Sequence, residues 1–179
     1  MRERARSRTC DGPEVHRLLE LLYFMAPAYL ANMAPPFLKY WRGWNRPISL
    51  RWLGAHKTVG GFVLGVLVAL AVAYAQSVIG WEGGVVSYAQ WPLVGLAMGI
   101  GALGGDAIKS AFKRAHGIAP GKPWIPADQL DFVLGALALV GPWAPLGWVD
   151  VAIIIGVSFA GDLAVNQIAF RLGIRNTPL

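Results

Sequence analysis

Five apolar stretches alternate with polar ones along this 179-residue chain. The first covers about 18–33, with Glu20 near its start and Pro27 inside. Proline is tolerated in membrane helices whose neighbours take up the freed carbonyl. The second, 60–79, carries no charge. The third begins at Trp91, is apolar to Gly105, and continues as a helix through Lys113 and Arg114. The fourth, about 130–148, is interrupted by Gly141-Pro142 and Pro145. The fifth, about 149–170, contains Asp162 and Asn166, and a tight turn near Leu146-Gly147 joins it to the fourth. About 20 apolar residues cross about 30 Å of hydrocarbon as a helix. The pattern therefore predicts an all-α polytopic membrane protein with about five transmembrane helices. Gly95-x-x-x-Gly99, Gly101 and Gly104 predict a small-residue face on the third helix for close packing.

Composition agrees with this. Only 15% of residues are charged, against about 25% in a soluble domain. Eight tryptophans, at 41, 44, 52, 81, 91, 124, 143 and 148, mostly flank the apolar runs, as an interfacial belt requires. Cys10 is the only cysteine, so no internal disulfide forms. Residues 1–15 are polar and basic with no small-residue cleavage pattern after the first apolar run, so no cleavable signal peptide is expected. The chain divides into a basic tail, 1–17, and a single membrane domain, 18–179.

The net charge of +6 invites a nucleic-acid reading, but basic cytoplasmic loops account for it. Five spans place the 34–59 loop, the 106–129 segment and the C-terminus on one side, with eleven Lys and Arg against five on the other. The positive-inside rule makes that side cytoplasmic and the N-terminus external, although the basic tail runs against it. The expected location is the cell membrane, with the lipid bilayer as partner and no nucleic acid. A homodimer stays open.

The segment 104–131 concentrates the chemistry. Asp106, Lys109, Ser110 and Lys113 stand at i, i+3, i+4 and i+7, on one helix face, with Arg114 at its border. A carboxylate for a metal and cations with a hydroxyl for phosphates is one reading. The other is a helix leaving the bilayer with its Lys and Arg snorkelling and Asp106 paired to Lys109. Asp128 and Asp131 stand at i and i+3 where the fourth span begins. They can cap that helix, Asp128 as N-cap, and also suit Mg²⁺, a hard cation held by one or two carboxylates plus phosphates. Three Asp residues brought together from two helices repel one another without a cation, which is the physical reason to expect one.

Gly54-Ala55-His56-Lys57-Thr58 is not a P-loop, because the first glycine and the preceding strand are missing. As a basic loop on the same side it can hold a phosphate. His56 and His116 lack zinc-ligand spacing. Asn32, before Ala34-Pro35-Pro36, either binds substrate or ends its helix. Asp162 needs a partner or a cation within its span. With Asp106 it supports an alternative reading as a small secondary transporter. So does a faint repeat, Gly105-Asp106 with Gly117-Ile118 against Gly161-Asp162 with Gly173-Ile174. A non-catalytic scaffold would leave the clustered Asp residues unexplained.

Four blocks in order, 29–36 (YLANMAPP), 54–60 (GAHKTVG), 104–114 (GGDAIKSAFKR) and 126–131 (PADQLD), resemble the archaeal CDP-archaeol synthases from about residue 18 onward. That family is similar to the CDP-diacylglycerol synthases, whose Ser-x-x-Lys-Arg and Asp-x-x-Asp elements match Ser110/Lys113/Arg114 and Asp128/Asp131. This chain lacks their His-Gly-Gly, has Gln129 where they have Arg, and is shorter by several spans. The resemblance implies that CTP and a prenylated glycerol-phosphate lipid, 2,3-bis-geranylgeranylglyceryl 1-phosphate, give CDP-archaeol and pyrophosphate with Mg²⁺. It implies catalytic roles for Lys113, Arg114, Asp128 and Asp131, and metal binding by Asp106, Asp128 and Asp131. Asn32, Lys57, Thr58, Lys109 and Ser110 become substrate contacts. No general base is implied, because a phosphate dianion is already nucleophilic.

Overall fold

The computed structural model describes residues 13–40, 46–54, 57–119, 122 and 124–171. Residues 1–12 of the expected tail with Cys10, Trp41, Trp44, His56, most of the 120–123 turn and the C-terminus with Gly173-Ile174 lie outside the described residues.

Among the described residues there are five α-helices: α1 (Pro13–Met33), α2 (Val59–Ile79), α3 (Trp91–Ala115), α4 (Ala127–Val140) and α5 (Trp148–Arg171). The all-α expectation holds, with no strand among the described residues. Val59–Ile79, Tyr88–Ala115 and Trp148–Ile168 are long and apolar enough to cross a membrane. The protein is thus a multi-pass membrane protein.

Local chemistry sets the boundaries. α1 starts at Pro13, earlier than the apolar run, and stops before Ala34-Pro35-Pro36, where prolines cannot continue a helix. Thr58 caps α2, accepting the Gly61 N–H at 3.1 Å, and Gly80 ends it at a φ of 61°. α3 opens on Trp91-Pro92 and closes at Gly117, φ 71°. There the Ile118 and Gly117 N–H groups return to the carbonyls of Lys113 and Arg114 at 2.9 and 3.1 Å. This is a Schellman turn, which left-handed glycine permits.

The fourth span differs from its expectation. α4 begins at Ala127 and ends at Val140, where Gly141–Trp143 tightens into a 3₁₀ turn and Ala144 is extended. Pro142 withholds the N–H that would extend the helix. Its 14 residues reach only about 21 Å. The link to α5 accordingly spans Gly141 to Gly147 instead of a tight turn.

α3 is the central helix. It packs most extensively on α4, then on α2, and also touches α1. The core joins Phe24, Met25 and Ala28 of α1 to Met98 and Ala102 of α3 and Val133 and Ala136 of α4. α5 is peripheral, packing only on α4 and α1, with Trp148, Val165 and Ile168 exposed. The expected small-residue face of α3 is in fact two faces. Gly95 and Gly99 meet α2, Gly101 and Gly105 meet α4, and Gly104 faces open space.

Candidate active site

The end of α3 and the start of α4 meet at a glycine seam. A Cβ added at Gly105 would fall on the carbonyl of Asp131, and one at Gly135 on the carbonyl of Gly101. Glycine alone lets backbones come this close. The seam sets Asp106, the residue after Gly105, beside Asp131.

Lys109 stands between the carboxylates. Its Nζ lies 3.2 Å from Asp106 Oδ1, 2.9 Å from Asp128 Oδ1 and 2.6 Å from Asp131 Oδ2. The ammonium is thus ion-paired with all three carboxylates at once. Asp131 is the most enclosed of the three, with its side chain 5% exposed. Its Oδ1 accepts the Phe132 N–H at 2.6 Å. Asp128 is shared with Lys113, whose Nζ donates to both its oxygens at 3.1 and 3.0 Å. Lys113 is buried and also donates to the Lys122 carbonyl at 2.6 Å. Lys57 pairs with the other oxygen of Asp106.

Asp128 does not occupy the N-cap of α4. Pro126 does, and Asp128 sits in the first turn and accepts the Trp124 N–H at 2.6 Å. The Ile125-Pro126 bond that leads into α4 is cis. Both α4 carboxylates remain near the positive end of the helix dipole.

The Lys57 loop is fixed by pairing invisible in the sequence. Pro47 and Thr58 form an antiparallel bridge. The Ile48 N–H donates to the Lys57 carbonyl at 2.8 Å, and the Val59 N–H to the Arg46 carbonyl at 3.0 Å. Burial and the neighbouring Lys109 ammonium push the Lys57 ammonium down to about 8, while Asp131 and Asp128 pull the other way.

Six of the expected site residues therefore converge: Lys57, Asp106, Lys109, Lys113, Asp128 and Asp131. The side chains of the other four make no hydrogen bond or ion pair with those six side chains among the described residues. Arg114 NH1 donates to the Ile118 carbonyl, within its own C-terminal turn. The Ser110 hydroxyl is buried and donates to the Asp106 carbonyl at 2.8 Å. Thr58 serves as the α2 cap. Asn32 is half-buried near the end of α1. Asp162, on α5, accepts from Asn166 Nδ2 at 2.8 Å. One turn earlier, Ser158 meets the Tyr29 hydroxyl at 2.7 Å.

Three carboxylates around one point are the right donors for a hard divalent cation. In the arrangement observed that point is held by the Lys109 ammonium. No group of three or more His, Cys, Asp or Glu side chains among the described residues is set to hold a metal as it stands. Metal binding by Asp106, Asp128 and Asp131 thus requires Lys109 to move.

Comparison with known proteins follows the same lines. A family model described as CarS-like, CDP-archaeol synthase, matches residues 15–179. The CDP-archaeol synthase of Methanopyrus kandleri is 35% identical over 88% of this chain and 91% of its own. That of Thermofilum pendens is 36% identical over 88% of this chain and 79% of its own. A solved structure, described as an intramembrane enzyme for archaeal membrane lipid biosynthesis, superposes with a TM-score of 0.70. It is 28% identical, covering 83% of this chain and 94% of that one. These relatives are enzymes of lipid synthesis, which weighs against the transporter reading of Asp106 and Asp162.

Proposed function

The chain belongs to the CDP-archaeol synthase family, and from that membership we propose its reaction: an integral-membrane enzyme of archaeal phospholipid synthesis transfers the cytidylyl group of CTP to a prenylated ether-lipid phosphate. A lipid phosphate oxygen forms a bond to the α-phosphorus of CTP. The bond from that phosphorus to the bridging oxygen of the β-phosphate breaks, and pyrophosphate leaves with the electron pair. Negative charge builds on the pentavalent phosphorus and on the leaving group, and fixed cations lower its energy.

Lys57, Lys109 and Lys113 supply those cations, because all three already stand within one cluster. Arg114 joins them by leaving its C-terminal turn. Lys113 is held from behind by the Lys122 carbonyl and Asp128, which fixes its direction. Asp106, Asp128 and Asp131 hold Mg²⁺, which when bound supplies charge opposite the triphosphate. Asn32, Thr58 and Ser110 border the substrates. Five spans, with the cluster end cytoplasmic in the cell membrane, let CTP enter from water and the lipid from the bilayer.

The observation that carries this reading is the convergence of three carboxylates and three lysines from three separate segments. Its test is incorporation of labelled CTP into lipid by the purified protein, with Mg²⁺ or with chelator. Incorporation that needs Mg²⁺ and the lipid phosphate, and is lost in Asp128→Ala and Asp131→Ala, supports it. Full activity in both variants would sink the metal assignment, and absent incorporation by the wild type would sink the reaction.

A further inference from the structure

Among the described residues, Lys109 is the one side chain ion-paired with all three carboxylates. It lies one helical turn after Asp106 on α3, and reaches across the glycine seam to two residues of α4. Its ammonium is held among three carboxylates rather than turned to a phosphate. Yet the cluster is not short of other cations, since Lys113 pairs with Asp128 and Lys57 with Asp106. What Lys109 provides is charge at the centre, beside an enclosed Asp131 Oδ2 that has no hydrogen-bond partner and meets the ammonium as an ion pair.

We infer that the Lys109 ammonium and a divalent cation are alternative occupants of the same carboxylate cage, so that loading the cation releases Lys109 toward the substrate phosphates. This rests on the metal assignment proposed above and adds an order of events to it. The carboxylates repel one another whenever the cage lacks a cation, and Lys109 neutralises that repulsion in the unloaded protein. A divalent ion brings twice the charge to the same oxygens. The ammonium is then repelled by the ion and deprived of its acceptors. Its flexible four-carbon stem lets it swing without moving α3. Lys113 and Arg114 lie one turn further along α3, so the released ammonium comes to stand beside the cations assigned to the phosphates. The cage thereby couples metal loading to completion of the phosphate site. CTP then meets three lysines only after the cation is in place.

The test uses Mn²⁺ alone, without nucleotide or lipid, titrated into the full-length detergent-solubilised protein and followed by electron paramagnetic resonance. Lys109→Met removes the competing charge while keeping the stem, so Mn²⁺ should bind at least tenfold more tightly than to wild type. Lys109→Gln, which can still donate to the carboxylates, keeps the test valid if the Met variant does not fold, and should show the same direction. In chelator, both variants should melt below wild type, and Mn²⁺ should restore them. Equal or weaker Mn²⁺ binding in the Lys109 variants overturns the exchange. If Asp131→Asn still abolishes binding in that case, the metal assignment survives alone. If Mn²⁺ binds neither wild type nor variant, the exchange is also overturned. The labelled-CTP assay then separately decides whether the reaction stands.

Discussion

Two ionic clusters sit at opposite ends of the helix bundle, and they are built differently. Where α1 and α5 begin, Arg17 forks onto Asp150, Nε to Oδ1 at 2.9 Å and one terminal nitrogen to Oδ2 at 2.6 Å. Its other terminal nitrogen donates to Glu20 at 2.7 Å. Asp150 also accepts the Gly147 N–H at 3.0 Å. The planar guanidinium and two carboxylates satisfy one another in a fixed geometry. Where α3 ends and α4 begins, the cations are lysines, point charges on flexible stems. One of them spreads over three carboxylates. The first cluster is a clamp that holds peripheral α5 to α1. The second is arranged to be rearranged, because Lys109, Lys113, Asp106 and Asp128 each have more than one partner. The contrast separates a stabilising ion network from one that prepares for a charged substrate.

The contrast is sharpest at Asp131. Asp131→Asn keeps the shape and the Phe132 contact but removes the charge from the most enclosed position. Cytidylyl transfer should fall by at least about a hundredfold, the range for losing one preorganised electrostatic contact. Lys109 keeps two other carboxylates, so the melting temperature should move little. A large loss of stability with little loss of rate would reverse the roles assigned to the two clusters. Next in size is Gly105→Val. The added atoms meet the Asp131 backbone and cannot be absorbed by a rotamer change. Overpacking of this kind costs about 1–3 kcal/mol, or more where only backbone can yield. The variant should melt several degrees lower and lose rate as well, because the seam positions both Asp arms. A variant with wild-type rate would show that the seam does not set the site.

How far the site could be read from sequence is clear from the same residues. Helical spacing alone puts Asp106, Lys109 and Lys113 on one face, and the apolar runs locate α2 and α3 within a residue or two. The mutual repulsion of three Asp residues calls for positive charge between them, for which the sequence reading proposes a metal ion. It does not reveal that Lys109 meets that demand, because a period of 3.6 places a residue on a face without saying what lies across it. The same limit put Gly104 on the expected small-residue face and left Gly105 out, although a Cβ at Gly105 would meet the α4 backbone and one at Gly104 would meet nothing. The pairing of Arg46–Ile48 with Lys57–Val59 spans a loop with no periodicity, so the anchor of Lys57 left no pattern. α4 was read too long because its apolar composition continues past Val140, while the missing N–H of Pro142 ends the helix there.

Lys57 gives a pH test of the flexible cluster. Its ammonium titrates at about 8 in the folded protein, against 10.5 for an unperturbed lysine. If the charged form serves the phosphates, kcat/KM for CTP should decline above about pH 8, approaching tenfold per unit. Lys57→Arg should hold its rate to higher pH, since a guanidinium stays charged. Unfolding does not mimic this decline. A folded value below the unfolded one means that the unfolded chain holds the extra proton between about pH 8 and 10.5. Through this group, stability therefore rises with pH across that window. A level kcat/KM profile up to about pH 9 would remove Lys57 from the phosphate site.

The smallest effect should come from the clamp, and it completes the comparison. Arg17→Met keeps the stem against α1 and removes the fork, leaving Asp150 and Glu20 without their shared cation. The Arg17 side chain is 37% exposed, so water replaces part of what is lost. Charge-assisted hydrogen bonds at such a half-exposed site are worth about 1–2 kcal/mol together. For a chain of this length that is a drop of a few degrees in melting temperature, partly masked at high salt. Cytidylyl transfer below the melting range should stay within about twofold of wild type, because α5 supplies none of the six converging residues. A rate loss larger than the stability loss would mean that α5, and with it Asp162 and Asn166, takes part in the reaction. Two ends of the bundle that differ in their chemistry would then be coupled through its peripheral helix.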